Sequence, residues 1–332
     1  ARVRLIQVAG ARATAGTSAA LLALAGDADD KVAMAALRAL KNTAAPADVQ
    51  ALMKLTRSAR SPALRAAAEG AVHGACVRSD GPACADMVLG ALVPDTPPAD
   101  KCSWIRILAA LGHAGALPAL RAAAGDPDDS VALCALEQLG QWPDPAPAAD
   151  LLAVVESGAS PRRRAAAFAS AARLAGAAAA GVGRPDTTVA DWFQRLRKAS
   201  QSAGDQRIVL AGLGRFASPE GLRLLVPYLD DPEVRTEAAW AVVGVSAEMN
   251  SPADREALRD ALRRASAREV ESGPREKAAA RLRNVPAAPG AQPLFDGQSL
   301  AGWDGATNVW RVRDGAIVGG SMGGNPRNEF LA

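Results

Sequence analysis

The sequence predicts a mainly α-helical fold, a right-handed α-α solenoid of about seven to eight helical hairpins followed by a short, incomplete β segment. Three observations lead to this prediction. Asp-rich stretches open amphipathic helices at three places, small residues recur at steps of 28 to 39 residues, and the pattern becomes strand-like after residue 286. We expect the solenoid at residues 1-285, a Pro/Gly/Ala linker at 286-293 and the start of a β domain at 294-332.

The composition excludes several classes of protein. The chain has 332 residues, of which 49% are hydrophobic and 22% charged, and this mixture is typical of folded domains and not of disordered ones. A net charge of +3 is too small an excess to indicate nucleic-acid binding. Two His and four Cys are too few for a sizeable metal site, no apolar run reaches the ~18–20 residues that span a bilayer, and no cofactor is expected.

The helix openings are the first regular feature along the chain. Gly26–Val32 and Gly125–Val131 share the pattern Gly-Asp-x-Asp-Asp-x-Val, and Asp230–Val234 begins a third copy. Acidic side chains at an N-cap accept hydrogen bonds from the free N–H groups of the first turn and favour a helix start there. We expect each of these helices to bury one apolar stripe and to be followed by a short turn and a second helix, as from Gly112 to Leu117–Ala124.

The spacing of the helix ends indicates stacked hairpins. The small-residue or turn positions are Gly10, Lys41, Gly74, Gly112, Gly140, Ala175, Gly214 and Gly244. The pattern Asp-x-x-Val…Ala-Ala-x-x-Leu-Gly resembles HEAT repeats, in particular the short Ala-rich bacterial kind also seen in phycobilin lyases, over residues 1-285. The resemblance implies a scaffold whose concave face holds a protein partner, and a role like that of a bilin lyase follows only from this likeness of fold.

The residue pattern changes from helical to strand-like after Pro286. The Pro/Gly/Ala stretch at 286-293 is incompatible with a helix. Trp310–Arg313 and Ala316–Val318 alternate in polarity around Asp314-Gly315, which predicts a β-hairpin with a two-residue turn. In such a hairpin Val312 faces Ile317.

This segment also resembles the opening of the 3-keto-disaccharide hydrolase family, Leu-Phe-Asp-Gly-x-x-Leu-x-Gly-Trp and then Trp-x-Val-x-Asp-Gly-x-Ile. The matching residues are Leu294, Phe295, Asp296, Gly297, Leu300, Gly302, Trp303, Trp310, Val312, Asp314, Gly315 and Ile317. The resemblance implies a concanavalin-like jelly roll that hydrolyses 3-keto-glycosides, in a bacterial protein exported to the periplasm or beyond. Because it covers only the start of such a domain, and because the chain begins inside a helix, we expect the natural protein to continue at both ends and this fragment to be inactive.

The candidate site residues of this segment each have a structural alternative. Trp303 and Trp310 are candidates for stacking on sugar rings or, alternatively, anchors of a β-sandwich core. Asp296 and Asp314 are candidates for acid/base groups or, since each precedes a glycine, turn residues. Glu329 is the candidate general acid, although no partner that would tune its pKa is evident in the sequence.

The cysteines allow two interpretations. Cys76 and Cys84 are eight positions apart, near the end of one helix and the start of the next. A disulfide closing that turn would suit an exported protein, and two buried free thiols are the alternative. We expect Cys102 and Cys134 to be core residues of adjacent repeats.

Two functions remain open on the sequence. In the first, the solenoid is a docking or spacing module of a hydrolase whose substrate is a carbohydrate. In the second, the chain is a non-catalytic scaffold for protein–protein interaction. The presence of a complete jelly roll beyond Ala332 would separate them.

Overall fold

The chain divides into two compact units, Ala1–Asn284 and Val285–Ala332. The computed structural model describes residues 2–12, 17–79, 82–181, 187–286, 295, 297–301, 303 and 309–319. Apart from residue 286, the linker predicted at 286-293 lies outside the described residues.

The first unit consists of α-helices joined by short turns. Within the described residues the helices are α1 (Arg2–Arg12), α2 (Thr17–Ala25), α3 (Asp30–Thr43), α4 (Val49–Arg57), α5 (Pro62–Val77), α6 (Ala83–Gly90), α7 (Pro98–Leu111), α8 (Leu117–Ala124), α9 (Asp129–Leu139), α10 (Ala148–Glu156), α11 (Pro161–Ala179), α12 (Thr187–Ala199), α13 (Ala203–Leu213), α14 (Pro219–Leu225), α15 (Arg235–Ser246), α16 (Arg255–Ala265) and α17 (Ser272–Asn284).

The helices form two layers, and the odd-numbered helices are an unbroken series of contacting neighbours. The odd-helix layer comprises α1, α3 and every second helix to α17, and the even-helix layer comprises α2 to α16. In the first half of the unit each even helix packs mainly on the odd helix that follows it, whereas from α12 onward the even helices contact both odd neighbours. The hairpins are therefore α2–α3, α4–α5 and so on, eight among the described residues, which confirms the predicted solenoid.

The order of the two helices within a hairpin corrects one expectation. For α3 and α9 the Asp-opened helix is the second member of its hairpin, whereas the sequence pattern was interpreted as placing it first. The physical reason lies in the connections, because the acidic turn before α9 is short, at 125–128, while the connection after α9 is longer, at 140–147, and leads to the next hairpin. A sequence period fixes the repeat length but not the helix on which each element packs.

Two of the three acidic openings cap their helices as predicted. Asp29 accepts a hydrogen bond from the Lys31 N–H at the start of α3, and Asp128 accepts from the Ser130 and Val131 N–H groups of α9. The third copy also precedes a helix, α15, but its acidic cap was predicted wrongly. Val234 occupies the N-cap of α15 without a side-chain bond, because Asp231 accepts instead from the Glu233 N–H just before the helix.

Glycine and alanine allow the odd helices to approach each other closely. A Cβ atom on Gly74 of α5 would lie 2.0 Å from the Lys41 carbonyl oxygen of α3, and one on Gly140 would lie 2.4 Å from Ser170 Cβ of α11. Gly176 and Gly212 also allow α11 and α13 to approach closely, since a Cβ on Gly176 would lie 3.0 Å from Gly212 Cα. The even helices contact one another more sparsely. Layers that differ in this way curve toward the tighter one, so the odd-helix layer is the concave side of the solenoid.

Arginines link successive repeats. Arg78 donates to the carbonyl oxygens of Lys41 and Ala44 at the end of α3, at 2.9 and 2.8 Å. Arg163 at the start of α11 donates to Asp129 Oδ1 at 2.7 Å, at the start of α9. The Arg78 guanidinium satisfies helix C-terminal carbonyls of the neighbouring repeat, where a cation is favoured. The Arg163 guanidinium instead pairs with an acidic side chain at a helix start.

The second unit contains a β-hairpin, β1 (Trp310–Arg313) and β2 (Ala316–Gly319), paired antiparallel. Val312 lies opposite Ile317, which confirms the predicted register. Asp314 and Gly315 form the turn with φ angles of 51° and 78°. Two consecutive positive φ values match the twist of the strands, and Asp-Gly is a favoured pair for such a turn.

We predict that Gly74→Ala destabilises the solenoid, because the new methyl group overlaps the Lys41 carbonyl and α3 and α5 must separate. Overpacking of this kind costs about 1–3 kcal/mol. The measurement is the thermal unfolding midpoint, which should fall by several degrees. Gly90→Ala on α6 is the matched control, since nothing lies within 4 Å of a Cβ there and alanine favours the helix. Equal midpoints for Gly74→Ala and the native chain would contradict the close-approach argument.

Candidate functional site

Part of the candidate sugar-binding segment lies within the hairpin. The ring of Trp310 covers Gly319 on the opposite strand, where an added Cβ would meet the ring Cζ3 atom at 2.5 Å. Trp303 is half-buried, and its backbone N–H donates to the Leu300 carbonyl at 3.0 Å. Leu294, Asp296, Gly302 and Glu329 lie outside the described residues.

The hairpin does not assemble a catalytic group among the residues that the structure describes. Asp314 lies at the tip of the turn with its carboxylate almost fully exposed, at 95% of its side-chain surface, and its nearest cation is Arg313 at 3.9 Å. Gly297 also has a positive φ, 79°, and no atom lies within 4 Å of the position of a Cβ. Phe295, like Val312 and Ile317, is half-buried. The described part of this segment therefore presents a turn and an apolar face.

Cys76 and Cys84 are close together at the junction of α5 and α6. Both are buried and carry no S–S bond in this structure. Burial raises the pKa of Cys76 to about 12, and the neighbouring Cys84 thiol adds to the effect. The disulfide between them stays a prediction.

A second pair of thiols lies between α7 and α9, where the sequence predicted only core residues. Cys134 donates from its thiol to the Cys102 carbonyl at 3.7 Å, and Arg106 donates to Cys134 Sγ at 3.8 Å. Arg106 is held by Glu69 of α5 through two hydrogen bonds of 3.0 and 2.6 Å. A side-chain hydrogen bond between the Cys134 and Cys102 thiols, helped by the Arg106 charge and opposed by burial, lowers the pKa of Cys102 to about 7. One signal was present in the sequence: the two cysteines occupy equivalent helices of consecutive repeats.

The concave layer carries exposed apolar side chains and unpaired cations between α11 and α15. Ile208 on α13 is 38% exposed and Trp240 on α15 is 42% exposed. Lys277 of α17 places its Nζ 4.6 Å from the centre of the Trp240 ring, a cation–π contact. The side chains of Arg173, on α11, and Arg215, in the turn after α13, form no hydrogen bond or ion pair within the described residues, and they border a cleft of about 240 Å³ between these helices.

A larger groove lies at the other end of the same layer. It encloses about 920 Å³ between α1 and α3 and is lined by Arg4, Gln7, Lys31, Met34 and Arg38. Its arginines and lysine form no ion pair within the described part of the chain, whereas Asp30 at its edge pairs with Arg60 at 2.7 Å. Both openings in the odd-helix layer are thus bordered by free cations.

Within the described ranges, no three His, Cys, Asp or Glu side chains come together in a metal-binding arrangement. His113 Nε2 lies 3.1 Å from Asp86 Oδ1, joining the end of α7 to α6. Among these residues, no helix is both long and apolar enough to cross a lipid bilayer.

We predict that Cys102 alkylates faster than Cys76 in the native protein, because the thiolate is the nucleophile and only Cys102 has a lowered pKa. Their exposed fractions are similar, 8% and 6%, so the comparison reports mainly the thiolate population. Site-resolved mass spectrometry after iodoacetamide treatment across pH should place half-maximal labelling of Cys102 near pH 7. Arg106→Gln should move it upward, and a native midpoint at the ordinary value of 9.0 would contradict the assignment.

The comparisons with known proteins agree with the two-layered helical architecture. A family model described as HEAT repeats matches residues 85–172 and 189–273, together more than half of the chain. Each match begins within an even helix, α6 or α12. This agrees with the first hairpins, which run from an even helix to the odd helix that follows it. A search of curated proteins gives no match.

The structures similar to this chain include a homology model of the full-length AP-3 complex in an intermediate open conformation. It matches with 13% identity and a TM-score of 0.56, over 81% of this chain and 51% of that chain. Kap95p in a structure with RanGDP matches with 14% identity and a TM-score of 0.47, over 87% and 48%. The complex of CpcE and CpcF of phycocyanin lyase from Nostoc sp. matches with 17% identity and a TM-score of 0.36, over 72% and 94%.

The chain spans about half the length of the AP-3 and Kap95p chains that it matches. At 13% identity the AP-3 likeness shows the solenoid fold alone. The family match carries the assignment, since it covers more than half of the residues and agrees with the observed hairpins. The chain belongs to the HEAT-repeat family.

Proposed function

We propose that the solenoid unit is a scaffold that binds a partner protein on its odd-helix layer, between α11 and α15. The observation that carries this proposal is Trp240, a large aromatic side chain 42% exposed on the concave side. Exposed tryptophans and arginines are among the residue types most enriched at binding hot spots. Here Ile208 lies on α13, and two unpaired arginines border the cleft between α11 and α13.

The family supports the same function. Stacked repeats give an extended surface in which each helix contributes a few side chains, a geometry suited to a partner protein and not to enclosing a small substrate. The similar AP-3 chain is part of a complex, as its name states. The cleft of about 240 Å³ between α11 and α13 is smaller than the ~300–1,000 Å³ typical of small-molecule pockets, whereas the groove between α1 and α3 falls within that range.

We predict that a photo-crosslinking amino acid at position 240 captures a discrete protein in cells of the source, because Trp240 lies within the proposed contact surface. Mass spectrometry identifies the adduct, and binding of the purified partner is then measured. Trp240→Ala should weaken that binding about 30-fold, the loss expected for a hot spot worth ~2 kcal/mol. The same crosslinker at Lys54, exposed on α4 of the even-helix layer, is the matched control. Equal capture from both positions would contradict the proposal.

We propose as a second function that residues 294–332 begin a 3-keto-disaccharide hydrolase domain in an exported parent protein. The hairpin turn falls at Asp314-Gly315, where the family motif has Asp-Gly, and this coincidence favours the second function beside the twelve matching positions. The catalytic groups would then belong to a completed β-sandwich, with the solenoid as its docking module. Sugar stacking by Trp303 and Trp310, and acid catalysis by Glu329, are parts of this proposal.

We predict that the natural full-length protein, purified from its source, releases a free hexose and a 3-keto-hexose from a 3-keto-disaccharide. The unoxidised disaccharide is the control substrate, and it should remain intact because it lacks the ketone that the family acts upon. Glu329→Gln should lower the rate if this carboxyl is the general acid. No release from the oxidised substrate by folded protein would overturn the hydrolase proposal and leave the scaffold proposal standing.

A further inference from the structure

The cleft between α11 and α13 has an apolar floor made by the closest backbone approach of these helices. Ala172, Gly176 and Gly212 form the floor, and Ile208 lies at one edge. The volume of about 240 Å³ is roughly eight times the ~30 Å³ that one water occupies in the liquid. This space accommodates one or two side chains of a partner.

Arg173, on α11, and Arg215, in the turn after α13, line this cleft and differ from other arginines on α11 and α13. Arg164 on α11 pairs with Asp205 at 3.1 Å, and Arg207 on α13 pairs with Glu237 at 2.6 Å. Arg173 and Arg215 have no such partner within the described residues. Two uncompensated guanidinium groups beside an apolar floor make the cleft locally positive.

The acidic side chains on the flanking odd helices do not neutralise this charge. Glu237 on α15 is engaged by Arg207, and Asp129 on α9 is engaged by Arg163 at 2.7 Å. Glu137, exposed on α9, forms no ion pair with Arg173 in the described structure. The complementary charge must therefore come from another molecule.

We infer that this cleft binds a short acidic segment of a partner protein, with carboxylates on Arg173 and Arg215 and an apolar side chain on the Ala/Gly floor. The inference rests on the proposed scaffold function and names the chemistry of its partner. Guanidinium groups pair with carboxylates through two parallel hydrogen bonds, which gives geometric selectivity as well as attraction. Because packed helices lie ~8–10 Å apart, an extended segment crossing α13 also reaches Trp240 on α15.

A protein segment fits this surface better than a nucleic acid does. Single-stranded nucleic acids are bound by a continuous positive groove together with several aromatic platforms. Here the described cleft offers two cations, and Trp240 on the next helix is already covered in part by Lys277. The apolar floor instead suits an aliphatic side chain between acidic residues.

The experiment selects random short peptides displayed on phage against the whole chain and measures the enriched peptides by fluorescence anisotropy. We expect enrichment of Asp and Glu flanking an apolar residue, and binding that weakens as salt is raised. Arg173→Gln with Arg215→Gln should weaken binding about tenfold or more. Reversal of both charges to Glu should favour basic peptides instead. Lys54→Gln with Arg268→Gln removes the same charge elsewhere on the solenoid and should leave binding unchanged.

Three outcomes overturn the inference. The first is enrichment of neutral or basic peptides, or of no peptides. The second is peptide binding that the double substitution of Arg173 and Arg215 leaves unchanged. The third is tight binding of a single-stranded oligonucleotide that the same double substitution abolishes. Circular dichroism of each variant excludes unfolding as the cause. The scaffold proposal is judged separately by capture at position 240. A partner captured there whose affinity is insensitive to Arg173 and Arg215 would refute the acidic segment alone.

Discussion

The close approach of the odd helices is the constraint on which the rest of the solenoid depends. At Gly74 and Gly140 the backbone of one helix meets the next so tightly that a methyl group does not fit. The even helices contact one another more sparsely, so the stack curves toward the odd-helix layer and its small residues. The same small residues make the apolar floor between α11 and α13, where Gly176 meets Gly212. A packing requirement thus shapes the surface available to a partner.

Arginine side chains link successive repeats by hydrogen bonds and ion pairs, and for this reason an arginine without a partner is notable. Each repeat contacts only its neighbours, so every interface needs its own polar connections. Arg78 satisfies carbonyls at the end of α3, and Arg281 reaches the Ser246 carbonyl at the end of α15 at 2.7 Å. Arginines used in this way are structural, although their sequence context resembles that of Arg173 and Arg215. Arg173 and Arg215 differ from them because no acidic side chain or helix carbonyl pairs with either guanidinium within the described residues.

The hairpin of the second unit depends on local interactions. The Asp314-Gly315 turn supplies two positive φ angles, and the Trp310 ring covers the strand position that lacks a side chain at Gly319. Two strands alone have marginal stability in water, so further strands or packing are needed for a stable domain. The resemblance to a hydrolase opening is consistent with such a continuation and identifies the chemistry to be assayed.

The sequence by itself determined the features that depend on residues close together in the chain. Asp29 and Asp128 mark helix starts because an N-cap acts within three residues, and Asp314-Gly315 marks the hairpin because a turn is four residues long. Only the tertiary structure decided which helix pairs with which, that Cys102 meets Cys134, and that Arg173 is left without a partner. Contacts of this kind join residues about 30 to 40 positions apart in the chain, and they depend on how closely two helices pack. The distance between packed helices is a property of the whole stack, and no short stretch of sequence determines it.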